Sequence, residues 1–391
     1  MRTASSVDGG SDGHDEGVLR PGLEGVVVAE TRLSEVDGAQ GRLVIAGSDV
    51  EDLSREVGFE GAWLRLWGAV ADEAGVAQLE AELGAARVEA FDRLSGLREA
   101  LRATDGMDAL RAGVAHCSVH ARAGERAQAV ALTAATAVYA AAWGWLRLGL
   151  GPVAPDAGLR HAEDYLRMAR LQATPGARVS EVEARAMDRY LVTVIDHGLN
   201  ASTFAARVVA STGSDVVSAV VAALGALKGP LHGGAPGPVL DMLDALGDSG
   251  AQGIETWLGD ELAAGRRIMG MGHRIYRVRD PRAAVLEEAV GELARAGVGG
   301  ARLARAREVE RAAERMLARR HPARALRANV EFYTAVLLEA LGLGRQAFTP
   351  TFAVGRVAGW CAHVAEQRAT GRLIRPASRY VGPMPARSAA G

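Results

Sequence analysis

Residues 195–246 read IDHGLNASTFAARVVASTGSDVVSAVVAALGALKGPLHGGAPGPVLDMLDAL, and the fold is predicted outward from them. Within them, residues 216–227 are a nearly unbroken run of Val, Ala and Leu. A helix made of this run has no polar face and must therefore be buried. Gly229 and Pro230 predict its end, with Lys228 in the last turn, and Pro238 predicts the start of the next helix.

The loop between these two predicted helices places His232 among glycines. A helix that begins just after His232 brings partial positive charge near the imidazole, which disfavours the protonated ring. A neutral imidazole in such a position can donate a hydrogen bond to a developing oxyanion, so the pattern is compatible with catalysis. The pattern is equally typical of a turn with a solvated histidine. These residues alone do not separate the two interpretations.

Composition limits the class of protein. The chain has 391 residues, 5% aromatic residues and many alanines, which favours a mostly helical protein with a large core. Its net charge of -2 gives no basic footprint and argues against nucleic acid as a partner.

Cys117 and Cys361 are too far apart in sequence to suggest a disulfide framework, which fits a reducing cytoplasm. His116 and His120 are four residues apart without a suitably spaced third ligand, so no metal site is predicted.

Two further segments bear on localisation and on the N-terminal fold. Residues 1–21 begin with a Gly-, Ser- and Asp-rich stretch that has no apolar signal segment, and we expect them to be disordered. Residues 127–146 carry no charge and are long enough to span a bilayer, but their alanine-rich content favours a buried core helix over a membrane span. Short strands are predicted at residues 26–29 and 42–45, forming a hairpin around Asp37 and Gly38.

Histidines and arginines recur at predicted helix ends. His197 precedes Asn200 and Ser202 at a helix start, a setting that offers donors to an anion. His273 follows a second glycine-rich loop. The Asp-Pro pair before Arg282 predicts a helix with this arginine in its first turn, where its guanidinium is fixed for bidentate carboxylate recognition.

The C-terminal third adds a carboxylate and two arginines. Glu331 is predicted in the first turn of a helix, where the helix dipole favours a negative charge. Arg356 lies on an otherwise apolar helix face, and Arg375 precedes a proline. Because an unpaired buried charge costs several kcal/mol, Arg356 needs an anionic partner, either a carboxylate of the protein or one of a substrate.

These groups suit proton abstraction next to one carbonyl and attack on a second carbonyl that carries carboxylates. They also resemble the citrate synthase family. The resemblance rests on five blocks in one order: DHGLNASTFAARVVAST, GALKGPLHGGAPGPVLDML, MGMGHRIYRVRDPRA, NVEFYTAVLLEALG and FTPTFAVGRVAGWCAHVAEQRATGRLIRPASRYVGP. The segment GLEGVVVAETRLSEVDG is similar to the family's N-terminal part, whereas residues 70–190 resemble it only loosely.

The resemblance implies an all-α citrate synthase-like fold with a short N-terminal β-hairpin. A large helical domain (residues 22–232 and 337–391) would carry a smaller inserted helical domain (residues 233–336) that closes over oxaloacetate before the acyl-CoA binds. The protein would be a homodimer. Oxaloacetate and a CoA thioester would be its substrates, with no metal and no permanently bound cofactor, and neither nucleic acid nor membrane is expected as a partner.

The resemblance also assigns roles to single residues. His232 would stabilise the enol of acetyl-CoA, Glu331 would take the methyl proton, and His273 would hydrogen-bond the ketone oxygen under attack. The oxaloacetate carboxylates would be held by His197, Arg282, Arg356 and Arg375 of the partner subunit. The candidate CoA contacts are Lys228 and Arg274.

At three positions the chain departs from the usual family pattern. Glu331 stands where the family usually has Asp, Gly198 where it usually has Glu, and Pro236 where it usually has Asn. The leading hypothesis is condensation of acetyl-CoA with oxaloacetate and water to give citrate and CoA. Two alternatives stay open: a 2-methylcitrate synthase that uses propionyl-CoA, and a non-catalytic binding or regulatory paralogue on the same fold.

Overall fold

The computed structural model describes residues 19–385, apart from 24, 69–70, 118, 120–123, 172–176, 235, 273–275, 277, 323 and 325. The chain divides between Thr31 and Arg32 into two units. In the first unit, the described residues from 19 to 31 form neither helix nor strand. The Leu23 N–H donates to the Arg20 carbonyl, and the Val26 N–H donates to the Leu23 carbonyl. The segment 1–21, predicted to be disordered, lies almost wholly outside the described residues.

The second unit is mostly helical, which confirms the predicted class. Its helices are α1 (Val50–Glu56), α2 (Gly58–Leu66), α3 (Glu73–Asp92), α4 (Leu94–Leu97), α5 (Gly106–Ala115), α6 (Glu125–Leu146), α7 (His161–Ala169), α8 (Glu181–Val194), α9 (Ala201–Ser211), α10 (Val216–Leu227), α11 (Pro236–Leu246), α12 (Ala251–Ala263), α13 (Pro281–Arg295), α14 (Gly300–Arg320), α15 (Val330–Ala340) and α16 (Phe348–Thr370). Short 3-10 turns occupy Ala100–Arg102 and Arg345–Ala347.

The uncharged segment of the sequence is the central helix, α6. It packs against α3, α5, α7 and α16, and every residue from Ala129 to Leu146 is buried. By length and composition α6 is apolar enough to cross a membrane, yet its apolar window is wholly enclosed by the protein. It is therefore a core helix, as its alanine-rich content predicts.

A small antiparallel sheet precedes the helices, with strand order β1-β2-β3. Its strands are β1 (Ser34–Asp37), β2 (Arg42–Ile45) and β3 (Ser48–Asp49), and Ser34 lies opposite Ile45. The prediction for β2 is confirmed, but the predicted strand at 26–29 is wrong.

The cause of this error is the turn after Asp37. The Asp37 carboxylate accepts hydrogen bonds from the backbone N–H groups of Ala39 and Gln40, which fixes a turn immediately after this residue. The chain directly before the turn must therefore be the first strand. The valine run at 26–29 has higher strand propensity, but it lies too far from the turn to pair with β2.

The helix ends that position the site largely follow the sequence signals. α10 has the predicted bounds, whereas α11 begins at Pro236, two residues before the predicted proline. α13 begins at the predicted Asp-Pro pair, and α15 begins after Asn329. Residues 32–391 form one unit by their contacts, and the division into a large and a small domain stays a prediction.

Candidate active site

His232 lies in the tight loop between α10 and α11. Its backbone N–H donates to the Gly229 carbonyl at 2.9 Å, and the Gly233 N–H donates to the Leu227 carbonyl at 3.0 Å. A Cβ atom at Gly233 would meet the Leu227 carbonyl oxygen at 2.4 Å, so only glycine fits there. The loop thus holds His232 in one place rather than leaving it in a free turn.

The His232 side chain has a partner that the sequence did not reveal. Its Nε2 atom lies 2.8 Å from the Ser202 hydroxyl, which also accepts from the Trp360 indole N–H at 3.2 Å. The same hydroxyl lies 2.8 Å from the Asn200 side-chain oxygen. Since a serine hydroxyl has one proton, it donates either to Asn200 or to His232, and this choice sets the tautomer of the imidazole.

The start of α9 does not offer the anion donors predicted from its sequence. The Asn200 side chain caps the helix and accepts from the backbone N–H groups of Ser202 and Thr203. These two donors are therefore satisfied within the chain. The contribution of this segment to the site is the Ser202 hydroxyl, which forms a hydrogen bond with the His232 side chain.

His232 is held neutral. Burial, assisted by the positive charge of Arg356, lowers its pKa to about 4. The predicted neutral imidazole agrees with this shift, but the predicted cause, a helix N-terminus, is not the main one. A ring that stays neutral near pH 7 can donate one hydrogen bond without carrying a charge.

Arg356 is buried in α16 with incomplete pairing. Its side chain is 1% exposed, and its Nε–H donates to the Val194 carbonyl. The Nη2 atom has no hydrogen-bond partner among the described residues, and no described carboxylate forms an ion pair with this guanidinium. Burial lowers its pKa to about 10, while the more distant charge of Asp196 opposes that shift. Of the two partners predicted for Arg356, a carboxylate of the protein is not found among the described residues.

Arg282 differs from Arg356 because it carries its own carboxylate. Its guanidinium binds the Asp280 side chain, with Nη2 to Oδ2 at 2.8 Å and Nε to Oδ1 at 3.1 Å. Burial alone would lower its pKa, but the Asp280 charge and hydrogen bond raise it overall. The predicted bidentate recognition is thus met inside the chain, and Arg282 presents a fixed, rigid charge to the site.

His197 follows the end of α8 and is buried. Its Nε2 atom lies 3.0 Å from the Tyr276 hydroxyl, and the two rings meet edge to face with centroids 5.8 Å apart. Tyr276 also lies under the Arg282 guanidinium, 5.9 Å from the ring centroid. One aromatic side chain therefore links two of the predicted substrate ligands, a contact that the sequence did not suggest.

Glu331 occupies the first turn of α15, as predicted. Asn329 caps this helix by accepting from the Glu331 and Phe332 N–H groups, and its amide donates to the Gly272 carbonyl at 2.7 Å. The Glu331 Oε2 atom is buried without a hydrogen-bond partner among the described residues. Burial raises the pKa of Glu331, while the charge of Arg282 opposes the shift. A desolvated carboxylate of this kind is a suitable general base.

Five of the nine predicted site residues come together. The centroids of the His232 and Phe352 rings are 6.2 Å apart, and the Arg356 guanidinium lies 4.8 Å from the centroid of the same Phe352 ring. The charges of Arg356 and Arg282 act on each other, and that of Arg282 acts on Glu331. The residues that converge are His197, His232, Arg282, Glu331 and Arg356.

The other four are placed differently. His273 and Arg274 lie outside the described residues. Arg375 is exposed in the segment after α16, whose described part is neither helix nor strand. Lys228 contacts Asp108 at 2.5 Å and Asp105 at 3.6 Å, so its ammonium is already paired with two carboxylates.

A cavity of about 790 Å³ lies beside the loop that leads to His273, with Met271 and Gly272 in its wall. Its described lining has several basic side chains and no carboxylate. The basic residues are Arg266, Arg267, Arg320, His321 and Arg324. Such a lining favours a phosphorylated ligand.

The converging groups can perform one kind of chemistry well. A buried carboxylate can remove a proton while a neutral imidazole donates to the oxygen that gains charge. The neighbouring guanidinium groups can hold a substrate that carries carboxylates. This combination matches enolisation followed by attack on a keto acid.

Comparison with known proteins gives the same result. A family profile described as "Citrate synthase, C-terminal domain" matches residues 22–377. The citrate synthase of Haloferax volcanii is 39% identical over 94% of this chain and 96% of its own. The 2-methylcitrate synthase of Mycobacterium tuberculosis is 34% identical over 97% and 93%. The citrate synthase of Thermoplasma acidophilum, solved with carboxymethyl coenzyme A and oxaloacetate, superimposes with a TM-score of 0.81, at 26% identity over 94% of this chain and 97% of that one.

Proposed function

The chain belongs to the citrate synthase family, and on that premise we propose that it condenses acetyl-CoA with oxaloacetate and water to give citrate and CoA. The proposal rests on one observation. Two buried polar atoms of the site, Arg356 Nη2 and Glu331 Oε2, have no hydrogen-bond partner among the described residues. One is a cation that lacks an anion, and the other is a buried carboxylate free to accept a proton. The two groups match the two halves of the reaction.

Oxaloacetate binds first in this proposal, against the cationic side of the site. Arg356 supplies an unmatched guanidinium N–H, and Arg282 a guanidinium fixed by its own carboxylate. His197 adds an imidazole held in place by Tyr276. Arg375 of the partner subunit completes the set. A substrate carboxylate then pairs with the buried charge of Arg356, which forms no ion pair with the described carboxylates.

Enolisation follows at the acyl-CoA. Glu331 takes a proton from the methyl carbon, and His232 donates a hydrogen bond to the thioester oxygen. For this purpose the Ser202 hydroxyl donates to Nε2, which leaves the proton of the imidazole on Nδ1. Because His232 is neutral, it stabilises the enol without adding a further positive charge to those of Arg282 and Arg356.

The carbon–carbon bond then forms between the enol carbon and the ketone carbon of oxaloacetate. His273 donates to the ketone oxygen, which becomes the hydroxyl of the product. Water adds to the thioester carbonyl of the bound intermediate, the carbon–sulfur bond breaks, and the sulfur leaves as the CoA thiol. No metal or permanently bound cofactor is required by these steps.

The nucleotide part of CoA is assigned to the basic cavity beside Gly272. Arg267, Arg320 and Arg324 line it, and phosphate groups are the natural partners of such a cluster. The cavity adjoins the loop that leads to His273 and Arg274, so a CoA bound there can reach the site. Lys228, also a candidate for CoA, is engaged by Asp108 and Asp105 and would have to leave them.

Thiol release with different acyl donors tests the proposed function. We expect free CoA thiol only when oxaloacetate and a short acyl-CoA are both present, with acetyl-CoA the better donor. A single methyl group is worth about 1 to 3 kcal/mol, so propionyl-CoA is expected to react about 10- to 200-fold less efficiently. Higher efficiency with propionyl-CoA would make the chain a 2-methylcitrate synthase, and no release with any short acyl-CoA would favour a non-catalytic paralogue.

A shared site predicts complementation between subunits. Arg375 lies beyond the last helix in an exposed segment. Arg375→Ala and His273→Ala should each be inactive, whereas mixed dimers should recover part of the activity because one hybrid site keeps both groups. Subunit exchange is verified by native mass spectrometry before thiol release is measured. If mixed dimers form and stay inactive, Arg375 does not act across the interface.

We also propose that the protein acts in the tricarboxylic acid cycle and that it lies in the cytoplasm. Both cysteines are buried and neither forms a disulfide among the described residues, which agrees with a reducing compartment. The homodimer is part of the proposal because a complete site needs Arg375 of the partner subunit.

A further inference from the structure

A buried hydrogen-bonded cluster lies behind His197 and takes no part in the proposed steps. We define the Asp196 cluster as Ser34, Asp196, Arg207 and His363. We infer that Ser34 and His363 are positioning residues for oxaloacetate binding, because they restrain the Asp196 carboxylate between the His197 loop and Arg356. This inference rests on the proposed function and adds a determinant of oxaloacetate affinity outside the substrate contacts.

Asp196 is the centre of the cluster. It directly precedes His197 and is completely buried. Its carboxylate accepts from the Ser34 hydroxyl and from His363 Nε2, at 3.1 and 3.2 Å to its two oxygens. Burial favours protonation of this carboxyl, but His363, Arg356 and Ser34 together hold its pKa below the usual value. Asp196 is therefore a buried carboxylate held by two side-chain donors, the Ser34 hydroxyl and His363 Nε2.

Arg207 fixes the direction of the His363 bond. Its Nη1 atom lies 2.7 Å from His363 Nδ1, and a guanidinium can only donate. His363 Nδ1 must accept, so the ring proton lies on Nε2 and points at Asp196. Arg207 is held in turn by Glu366 at 2.7 Å and Gln367 at 2.9 Å. The cluster has one consistent pattern of donors and acceptors.

Ser34 connects the cluster to the substrate loop. Its hydroxyl donates to Asp196 and accepts from the Gly198 N–H at 2.8 Å. Gly198 has a positive φ of 57°, and a Cβ atom there would lie 3.3 Å from Val36 Cγ2. Gly198 directly follows His197, so strand β1 fixes the backbone on which this ligand is carried. The departure from the usual Glu at this position suits the tight conformation.

The cluster also controls what Arg356 can bind. Among the charges around Arg356, that of Asp196 does most to raise its pKa, yet the two side chains form no ion pair. Without the hydrogen bonds from Ser34 and His363, the buried Asp196 carboxylate would be stabilised most by an ion pair with the Arg356 guanidinium. It would then compete with oxaloacetate for Arg356. Ser34 and His363 therefore keep Asp196 near enough to stabilise the positive charge and too far away to neutralise it.

Calorimetric titration of oxaloacetate into the purified full-length protein tests the inference. His363→Leu removes the hydrogen bonds that His363 forms with Asp196 and with Arg207. Because hydrogen bonds to charged groups are lost, the Kd for oxaloacetate should rise about 10- to 100-fold. His363→Gln can donate from its amide and accept at its oxygen, so its Kd should stay within about threefold of the wild type. The kcat at saturating oxaloacetate should change less than about threefold in both variants.

Matched variants separate positioning from packing. Cys361 is buried on the same helix outside the cluster, so Cys361→Ala should leave the Kd unchanged. Ser34→Ala tests the other donor from a different element and should raise the Kd about tenfold. If His363→Leu fails to fold, the Ser34→Ala result decides.

Each outcome bears on one proposal or on both. Unchanged affinity in folded His363→Leu and Ser34→Ala would overturn the positioning role and leave the proposed function intact. Equal losses in the Gln and Leu variants would also overturn it, because shape rather than hydrogen bonding would then matter. Wild-type protein that does not bind oxaloacetate would overturn the proposed function and the inference with it.

Discussion

Arg356→Met is expected to weaken oxaloacetate binding by about 10²- to 10³-fold without destabilising the fold. Arg356 is 1% exposed, and its guanidinium lacks an ion pair with any described carboxylate. Burial of this charge therefore lowers the unfolding free energy of the unliganded protein. A substrate carboxylate removes that cost, and a charged hydrogen bond of this kind is worth about 2 to 5 kcal/mol. Calorimetric titration gives the affinity, and urea unfolding gives the stability.

Arg87→Met is the matched control, because Arg87 is equally buried but fully paired. Its Nε–H donates to Asp164 at 2.7 Å, and its Nη2 donates to two backbone carbonyls. Removing it takes one ion-pair partner from the buried Asp164 carboxylate, which keeps Arg167 as the other. The loss should cost about 1 to 3 kcal/mol of unfolding free energy, with unchanged affinity for oxaloacetate. Should Arg356→Met instead lose stability to the same extent and keep its affinity, Arg356 would be a structural residue.

Glu331→Gln is expected to lower kcat by about 10²- to 10⁴-fold while leaving oxaloacetate binding nearly intact. The amide keeps the shape of the side chain but cannot take the methyl proton. Burial raises the pKa of Glu331, which makes this carboxylate a stronger base than an exposed one. Steady-state thiol release at saturating acetyl-CoA and oxaloacetate measures the effect.

Glu331→Asp restores the usual family residue and separates two explanations of the departure. The extra methylene moves the carboxylate by about 1.5 Å, and a misplacement of about 1 Å can cost about 10²-fold. If α15 is withdrawn from the site to suit Glu, the Asp variant will be slower. If the wild type is an impaired form of the usual enzyme, the Asp variant will be faster.

Where local chemistry dominates, the sequence was a sufficient guide to the fold and to part of the site. The apolar run of α10 forms the predicted helix, and the Asp-Pro pair starts a helix with Arg282 in its first turn. The prediction that α10 is buried on all sides is wrong, because Ser218 is exposed and residues 221, 222, 225 and 226 are only half-buried. These signals act over a few residues and need no knowledge of the rest of the chain. They place His232, Arg282 and Glu331 at helix ends, where the structure also has them.

Contacts between residues that are far apart in the sequence could not be predicted from such local signals. Ser202 meets His232 across 30 positions, and His363 meets Asp196 across 167. The neutral state of His232 has the same origin, because burial and a charge from α16 outweigh the adjacent helix end. Arg356 lies between these two cases, because part of its role could be predicted from the sequence and part could not. Its need for an anion was clear from the sequence, but only the structure shows that no carboxylate of the described residues forms an ion pair with it.

The most direct test of the account is the turnover of Glu331→Gln beside the wild type, with oxaloacetate binding measured on the same preparations. The account predicts similar affinities for oxaloacetate, ready thiol release by the wild type, and release slowed at least 10²-fold in the variant. Nearly full turnover by Glu331→Gln would show that this carboxylate is not the base, and the proposed mechanism would be wrong at its central step.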